Sequence, residues 1–224
     1  MAVIHHTELK PTKLELLSSW LPSRPWYAGS GEPALAKAGG FRLDDPQGEV
    51  GIEFIVVTDT SGAEPTTYLV PLTYRGAPLD GAEHALVGTM EHGVLGRRWA
   101  YDGCQDPVLA AQLLALIEGR AEAQDQNTSD LPDRDIARSY AGEGPAPTAS
   151  TPATPATPAD DEDGTELPAP QGMSLRLHRV LRPTPDHAAA LPPEVTGQIT
   201  GSWQAPDGSR TRSLYATLRT GAHA

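Results

Sequence analysis

This chain has almost nothing from which to build a covalent or metal framework. One cysteine, Cys104, stands among 224 residues. That excludes an internal disulfide and any cysteine-rich zinc site, and it fits a reducing compartment. Phenylalanine is nearly missing, with two residues, and the aromatic share is 5%. Basic charge is scarce as well: 17 Lys and Arg face 29 Asp and Glu, a formal charge of −12. Nucleic-acid binding needs clustered cations that release phosphate counterions, so DNA and RNA are not expected partners. No apolar run is long enough to span a bilayer. The opening MAVIHHTELKPTK lacks the basic start and apolar stretch of a signal peptide. The expectation is a cytoplasmic protein with no membrane role.

Glycine and proline, by contrast, are plentiful at 22 each. Residues 141–171 hold seven Pro and seven Ala, a tandem Thr-Pro-Ala repeat and the carboxylates Asp160, Asp161, Glu162, Asp163 and Glu166. Leu167 is the only large apolar residue there, too little to offset the entropy of ordering. The segment therefore reads as a stiff, extended, disordered spacer. The polar tract before it moves the expected boundary to about Ala121. The expected organisation is a folded 1–120, a disordered acidic linker 121–171 and a folded 172–224. Residues 121–171 carry 11 acidic and two basic side chains, and residues 172–224 six basic and three acidic. Either the acidic run only solvates the chain, or it folds back on the basic C-terminal piece.

The N-terminal part predicts an α+β fold, an antiparallel sheet flanked by two short helices. Thr12 and Glu15 form a capping box, followed by Leu14, Leu17 and Leu21 at helical spacing until Pro22. Alternation then takes over in GGFRLDD, VGIEFIVVTD and TTYLVPLTY, with shorter strands at ALVGTM and GVLGRRWAY. The second helix starts at Asp106 as N-cap with Pro107 at N1, carries Leu109, Leu113, Leu116 and Ile117 on one face, and stops at Gly119. In the C-terminal part, MSLRLHRVLRP reads as a strand. EVTGQITGSWQ and SRTRSLYATLR form a hairpin, with Val195, Ile199, Trp203, Leu214, Ala216 and Leu218 facing inward. Three strands are marginal alone, so this piece is expected to pack on the N-terminal part or on another protein.

A search for chemistry finds no phosphate loop and no nucleophile elbow. Gly29-Ser30-Gly31 and Gly39-Gly40 read as turns. Cys104 lies between the carboxylates Asp102 and Asp106, which oppose a thiolate, so it reads as a packed residue. His84, Glu91 and His92 are close in sequence but lack metal-ligand spacing and read as loop residues. His5 and His6 are adjacent and on a strand would face opposite sides. No metal or cofactor is expected.

The stretch Trp20-Leu21-Pro22-Ser23-Arg24-Pro25-Trp26-Tyr27-Ala28-Gly29 resembles the signature W-L-x-x-x-R-W-[FY]-x-G of the N-terminal cap domain of actinobacterial maltokinases and related sugar kinases. Pro25 departs from it by separating Arg24 from Trp26, and Ser30 stands where a basic residue often follows. Leu86-Val87-Gly88-Thr89, Tyr101-Asp102-Gly103 and Asp106-Pro107 are similar to the end of that cap, so the resemblance covers roughly residues 1–120. It implies a protein of α-glucan, maltose or trehalose metabolism. In such kinases a β-rich subdomain with the nucleotide loop and a helical catalytic lobe follow the cap. MSLRLHRVLRP faintly resembles the start of that subdomain, with Arg176 at the position of a phosphate-contacting Lys. Arg is not a conservative replacement at a phosphate. No D-F-[DG] and no H-x-D loop occur, and phosphoryl transfer needs a catalytic and a metal-binding Asp. The expectation is a non-catalytic cap-like module that binds a protein partner, a sugar or a glucan. The alternatives are half of a split sugar kinase completed by a separate lobe, or a carbohydrate-binding module. Candidate binding residues are Trp20, Arg24, Trp26, Tyr27, Gly29 and Arg98. Trp20, Trp26 and Tyr27 would offer stacking surfaces, unless they lock the first helix onto the sheet with Arg24 lying along the rings.

Overall fold

A computed structural model describes residues 9–128, 131–142, 157–184 and 192–220. His5 and His6 lie outside these residues, as does 143–156, the centre of the expected spacer. Among the described residues the fold is α+β, two antiparallel sheets with two short helices. The first sheet is built from β1 (Leu9–Lys10), β2 (Leu35–Leu43), β3 (Gly51–Asp59), β4 (Thr66–Arg75), β5 (Leu86–His92) and β6 (Gly96–Asp102), in the order β1-β5-β6-β4-β3-β2. The second contains β7 (Ala137–Tyr140), β8 (Ala159–Asp160), β9 (Gly164–Pro168), β10 (Ser174–His178), β12 (Val195–Gln204) and β13 (Arg210–Arg219), in the order β7-β12-β13-β10-β9-β8. Between β10 and β12 the chain changes sheets: β11 (Val180–Leu181) pairs with Tyr68 and Thr67 of β4.

The helices form where their caps dictate. α1 (Lys13–Trp20) has the full Thr12–Glu15 capping box, and the chain continues past it as a 3-10 turn, Leu21–Ser23, that opens around Pro22. α2 (Pro107–Glu118) takes Asp106 as its N-cap, and Gly119 ends it in the left-handed region at φ 80°. Arg75 of β4 grips both Asp106 oxygens at 2.7 and 2.8 Å, which ties the helix start to the sheet.

Side-chain alternation sends two sets of residues to opposite faces of the first sheet. Ile55, Val57, Tyr68, Val70 and Leu72 meet Leu17, Trp20, Leu21 and Trp26 on one face. Phe41, Leu43, Ile52, Phe54, Val56 and Leu69 meet the second sheet and α2 on the other. There Phe54 stacks on Phe41 at 4.4 Å, and Tyr215 follows at 6.3 Å. Each large apolar side chain fully removed from water contributes about 1.5–3 kcal/mol. The core is therefore shared between the two sheets, as the marginal size of the C-terminal piece requires.

Three local expectations are corrected. Strands form at residues 137–140, 159–160 and 164–168, inside the expected disordered linker 121–171; Leu167, 1% exposed, enters the shared core opposite Leu175. Pairing with β10 and β8 supplies what the local composition lacks. Gly39 and Gly40 lie inside β2 rather than in a turn: a register shift falls between Lys37 and Gly39, and a Cβ at Gly40 would stand 2.3 Å from the Phe54 carbonyl oxygen. In β13 a second irregularity, between Ile199 and Thr200 of its partner, turns Tyr215 inward and leaves Leu214 only half-buried. Among the described residues no helix is long and apolar enough to cross a membrane.

Candidate functional site

The aromatic stretch after α1 folds inward. Trp20 and Trp26 are 7% and 1% exposed, with rings in edge contact at 5.8 Å. Trp26 and Tyr27 both lean on Tyr68 of β4, at 5.9 and 5.6 Å. Arg24 lies over the Trp20 ring at 4.8 Å, its guanidinium bonded to the Ser23 hydroxyl at 2.9 Å. These residues lock the first helix onto the sheet, one of the two roles their chemistry allowed. Stacking on a sugar needs an open ring face, and neither indole has one.

Tyr27 is the half-buried rim of this cluster. Its hydroxyl donates to Asp59 Oδ2 at 2.6 Å. Burial and the adjacent carboxylate push the phenol up to about 12. Burial opposes ionisation of Asp59, yet donors from Tyr27, Ser61 and Ala34 hold its carboxyl below the ordinary range. Gly29 has a steric reason to be glycine: a Cβ there would stand 2.1 Å from the Tyr27 hydroxyl and 2.8 Å from Asp59 Oδ2. Arg98 belongs to another neighbourhood. It sits on β6 opposite Met90, with its guanidinium beside Gly76. Among the described residues the cations stacked on rings are Lys13, Arg24 and Arg179.

Arg179 is the centre that the candidate residues omit. It is 0% exposed, lies over Trp26 at 4.9 Å, and directs Nη2 at both oxygens of Asp102, each at 2.7 Å. Its Nε donates to Thr165 Oγ1 at 2.8 Å, and Nη1 has no partner. Burial disfavours the guanidinium charge, and Asp102 more than compensates, so its pKa is raised. One side chain from the β10–β11 junction thus joins the aromatic lock, the end of β6 and β9. A signal for it exists in MSLRLHRVLRP, where Arg179 falls in phase with the inward Leu175, Leu177 and Leu181. A cation at an apolar position calls for a buried carboxylate partner.

The remaining candidates for chemistry are committed elsewhere. Cys104 is 3% exposed, and burial pushes its thiol well up. Glu91 pairs with Arg97, and His92 Nδ1 accepts the N–H groups of Val94 and Leu95, closing the β5–β6 hairpin. Among the described residues no group of three or more His, Cys, Asp or Glu is placed to hold a metal ion. On β10, Arg176 grips both oxygens of Asp161, with Nη2 2.6 Å from Oδ1, and has Glu166 at 3.9 Å. Arg182 similarly holds Asp163 at 2.7 Å. The distal end of the acidic run does fold back on the basic C-terminal strands.

The fold and this cluster define a β-rich module whose aromatic motif is an internal lock between a short helix, a sheet and a buried arginine. Residues 20–106 match the family model of the maltokinase N-terminal cap domain. The match runs from the last residue of α1 to the N-cap of α2 and includes Trp20, Trp26, Tyr68 and Asp102. Thr165 and Arg179, which complete the buried network, lie beyond it.

Proposed function

We propose that these 224 residues act by binding, as a non-catalytic maltokinase-cap module serving an α-glucan, maltose or trehalose enzyme in the cytoplasm. The observation that carries this reading is the state of Arg176. The resemblance puts it where a kinase strand would present a phosphate-contacting cation, and here Asp161 and Glu166 of the same chain already occupy it. A nucleotide phosphate would have to displace a carboxylate at hydrogen-bond distance and then sit beside two negative charges, which disfavours it electrostatically. The absence of D-F-[DG] and H-x-D motifs from this sequence points the same way.

The partner class expected is an enzyme of glucan or disaccharide metabolism, bound as a folded protein. The purified chain should show no maltose-dependent ATP consumption in a coupled assay, and tagged chain should retain such an enzyme from native extract. Maltose-dependent turnover that disappears in Arg176→Ala would overturn the reading and favour a kinase half instead.

A further inference from the structure

Beside the β2–β12 contact, away from the aromatic lock, the surface opens into a cleft of about 430 Å³. Its charged lining is mainly acidic: Asp125, Asp133 and Asp135 from the segment after α2 face the single cation Arg210, among the neutral polar groups Gln126, Ser202, Gln204 and Tyr215. Asp125 Oδ1 accepts the N–H groups of Asn127 and Thr128 at 2.7 and 2.8 Å, and Asp133 Oδ1 accepts that of Asp135 at 2.9 Å. The other oxygens of Asp125 and Asp133 have no partner among the described residues. Arg210, the one cation among the lining residues, is paired with Asp135, so three carboxylates share it. Two further groups are buried and unpaired: Gln126 Oε1 and the hydroxyl of Tyr215, itself only 1% exposed. A buried polar atom without a partner costs about 1–3 kcal/mol, which a donor entering the cleft would relieve. Burial, with Asp135 and Asp125 nearby, raises the carboxyl of Asp133.

We infer that this cleft binds an organic ammonium group, whose N–H donors meet Asp125, Asp133 and the unpaired Gln126 and Tyr215 oxygens. An ammonium presents three donors and no acceptor, which matches the lining. A neutral polyol could take donors from Gln126, Ser202 and Gln204 but would leave the excess negative charge of the lining unmatched, which an ammonium offsets. A divalent ion would need carboxylates converging on one point, and no such group exists among the described residues. The ammonium can belong to a free diamine or to a lysine side chain of a partner, and the two are separable.

The test is calorimetric titration of the full chain with putrescine and, separately, with N-acetyl-lysine N-methylamide, at low salt and at about 0.15 M. One-to-one saturable binding of either amine is expected. Tighter binding of putrescine identifies a free diamine, tighter binding of the lysine mimic a partner's side chain, and each upholds the site. Asp133→Asn should weaken binding about tenfold. Glu64→Gln, an exposed carboxylate in the β3–β4 turn, should leave it unchanged. Both variants are checked for wild-type circular dichroism. The inference fails if neither amine saturates, if Asp133→Asn binds like wild type, if Glu64→Gln weakens binding equally, or if magnesium saturates the cleft where amines do not. Because no glucan enzyme enters this assay, its failure leaves the reading of the cap untouched.

Discussion

Replacing Arg179 by Met is the most demanding check on the buried network. The substitution keeps the length of the side chain and removes its charge, leaving Asp102, 4% exposed, without its cation. Breaking a buried pair by deleting one partner costs about 3–5 kcal/mol, because the remaining charge is neither solvated nor matched. Loss of the cation over Trp26 adds about 0.5–2 kcal/mol. In a chain of this size each kcal/mol lowers Tm by about 2–4 °C, so Arg179→Met should melt roughly 7–28 °C below wild type. Asp102→Asn keeps an oxygen for the Cys104 N–H, now 3.2 Å away, but strands the guanidinium, and should cost a similar amount. The double variant buries no net charge and should be less destabilised than the two losses added, by about 1–3 kcal/mol. The assay is thermal and urea unfolding of all four proteins, followed by circular dichroism. Single variants each costing under about 1 kcal/mol, or strictly additive losses, would refute the argument that this pair is desolvated and coupled.

Leu167→Ala should lower stability by about 2–5 kcal/mol in urea unfolding, because Leu167 is core rather than spacer; a loss under about 0.5 kcal/mol would return residues 164–168 to the linker. Gly29→Ala should cost about 1–3 kcal/mol through its approach to the Tyr27 hydroxyl. Adding Tyr27→Ala removes both Tyr27 atoms it strikes, the hydroxyl oxygen and Cζ, so the double variant should lose less than the two single losses added in the same measurement. His178, on the outer face of the second sheet, is held down to about 4 from 6.5 by burial and by Arg176 and Arg219. The unfolded chain therefore binds this proton more readily, and stability should fall as pH drops from about 6.5 towards 4, by up to about 3 kcal/mol. His178→Gln should flatten that part of the profile, and an unchanged slope would show that other groups set it.

Where the sequence proved readable, the signals were local and redundant. Thr12 with Glu15, and Asp106 with Pro107 and Gly119, define helix ends by backbone hydrogen bonds a few residues away, and both helices form there. The alternation through 50–75 fixes β3 and β4, because a one-residue slip would turn Val56 and Leu69 to the wrong face. Leu167 was illegible because its burial depends on β10, a strand contributed by later residues. Residue type alone left Trp20 and Trp26 undecided: large rings serve equally as surface anchors or as core, and only Tyr68, forty residues on, decides it. Arg98 drew notice through its neighbours Arg97 and Trp99, whereas Arg179, in the inward phase of an apolar strand, carried the stronger signal. The cleft lined by Asp125 and Asp133 gave no sign at all, since its walls come from segments ninety residues apart that meet only in the folded state.

One consequence follows from the single residue between β10 and β11. The polypeptide crosses from one layer to the other at Arg179, as a stitch passes through two pieces of cloth, and residues 20–106 share their core and one strand edge with residues that lie beyond them. Trimmed to those limits, it would leave Phe41, Phe54 and Leu69 facing water and the backbone of β4 at Thr67 and Tyr68 unpaired. The stretch that matches the family and the stretch that shares one core are two different lengths of this chain.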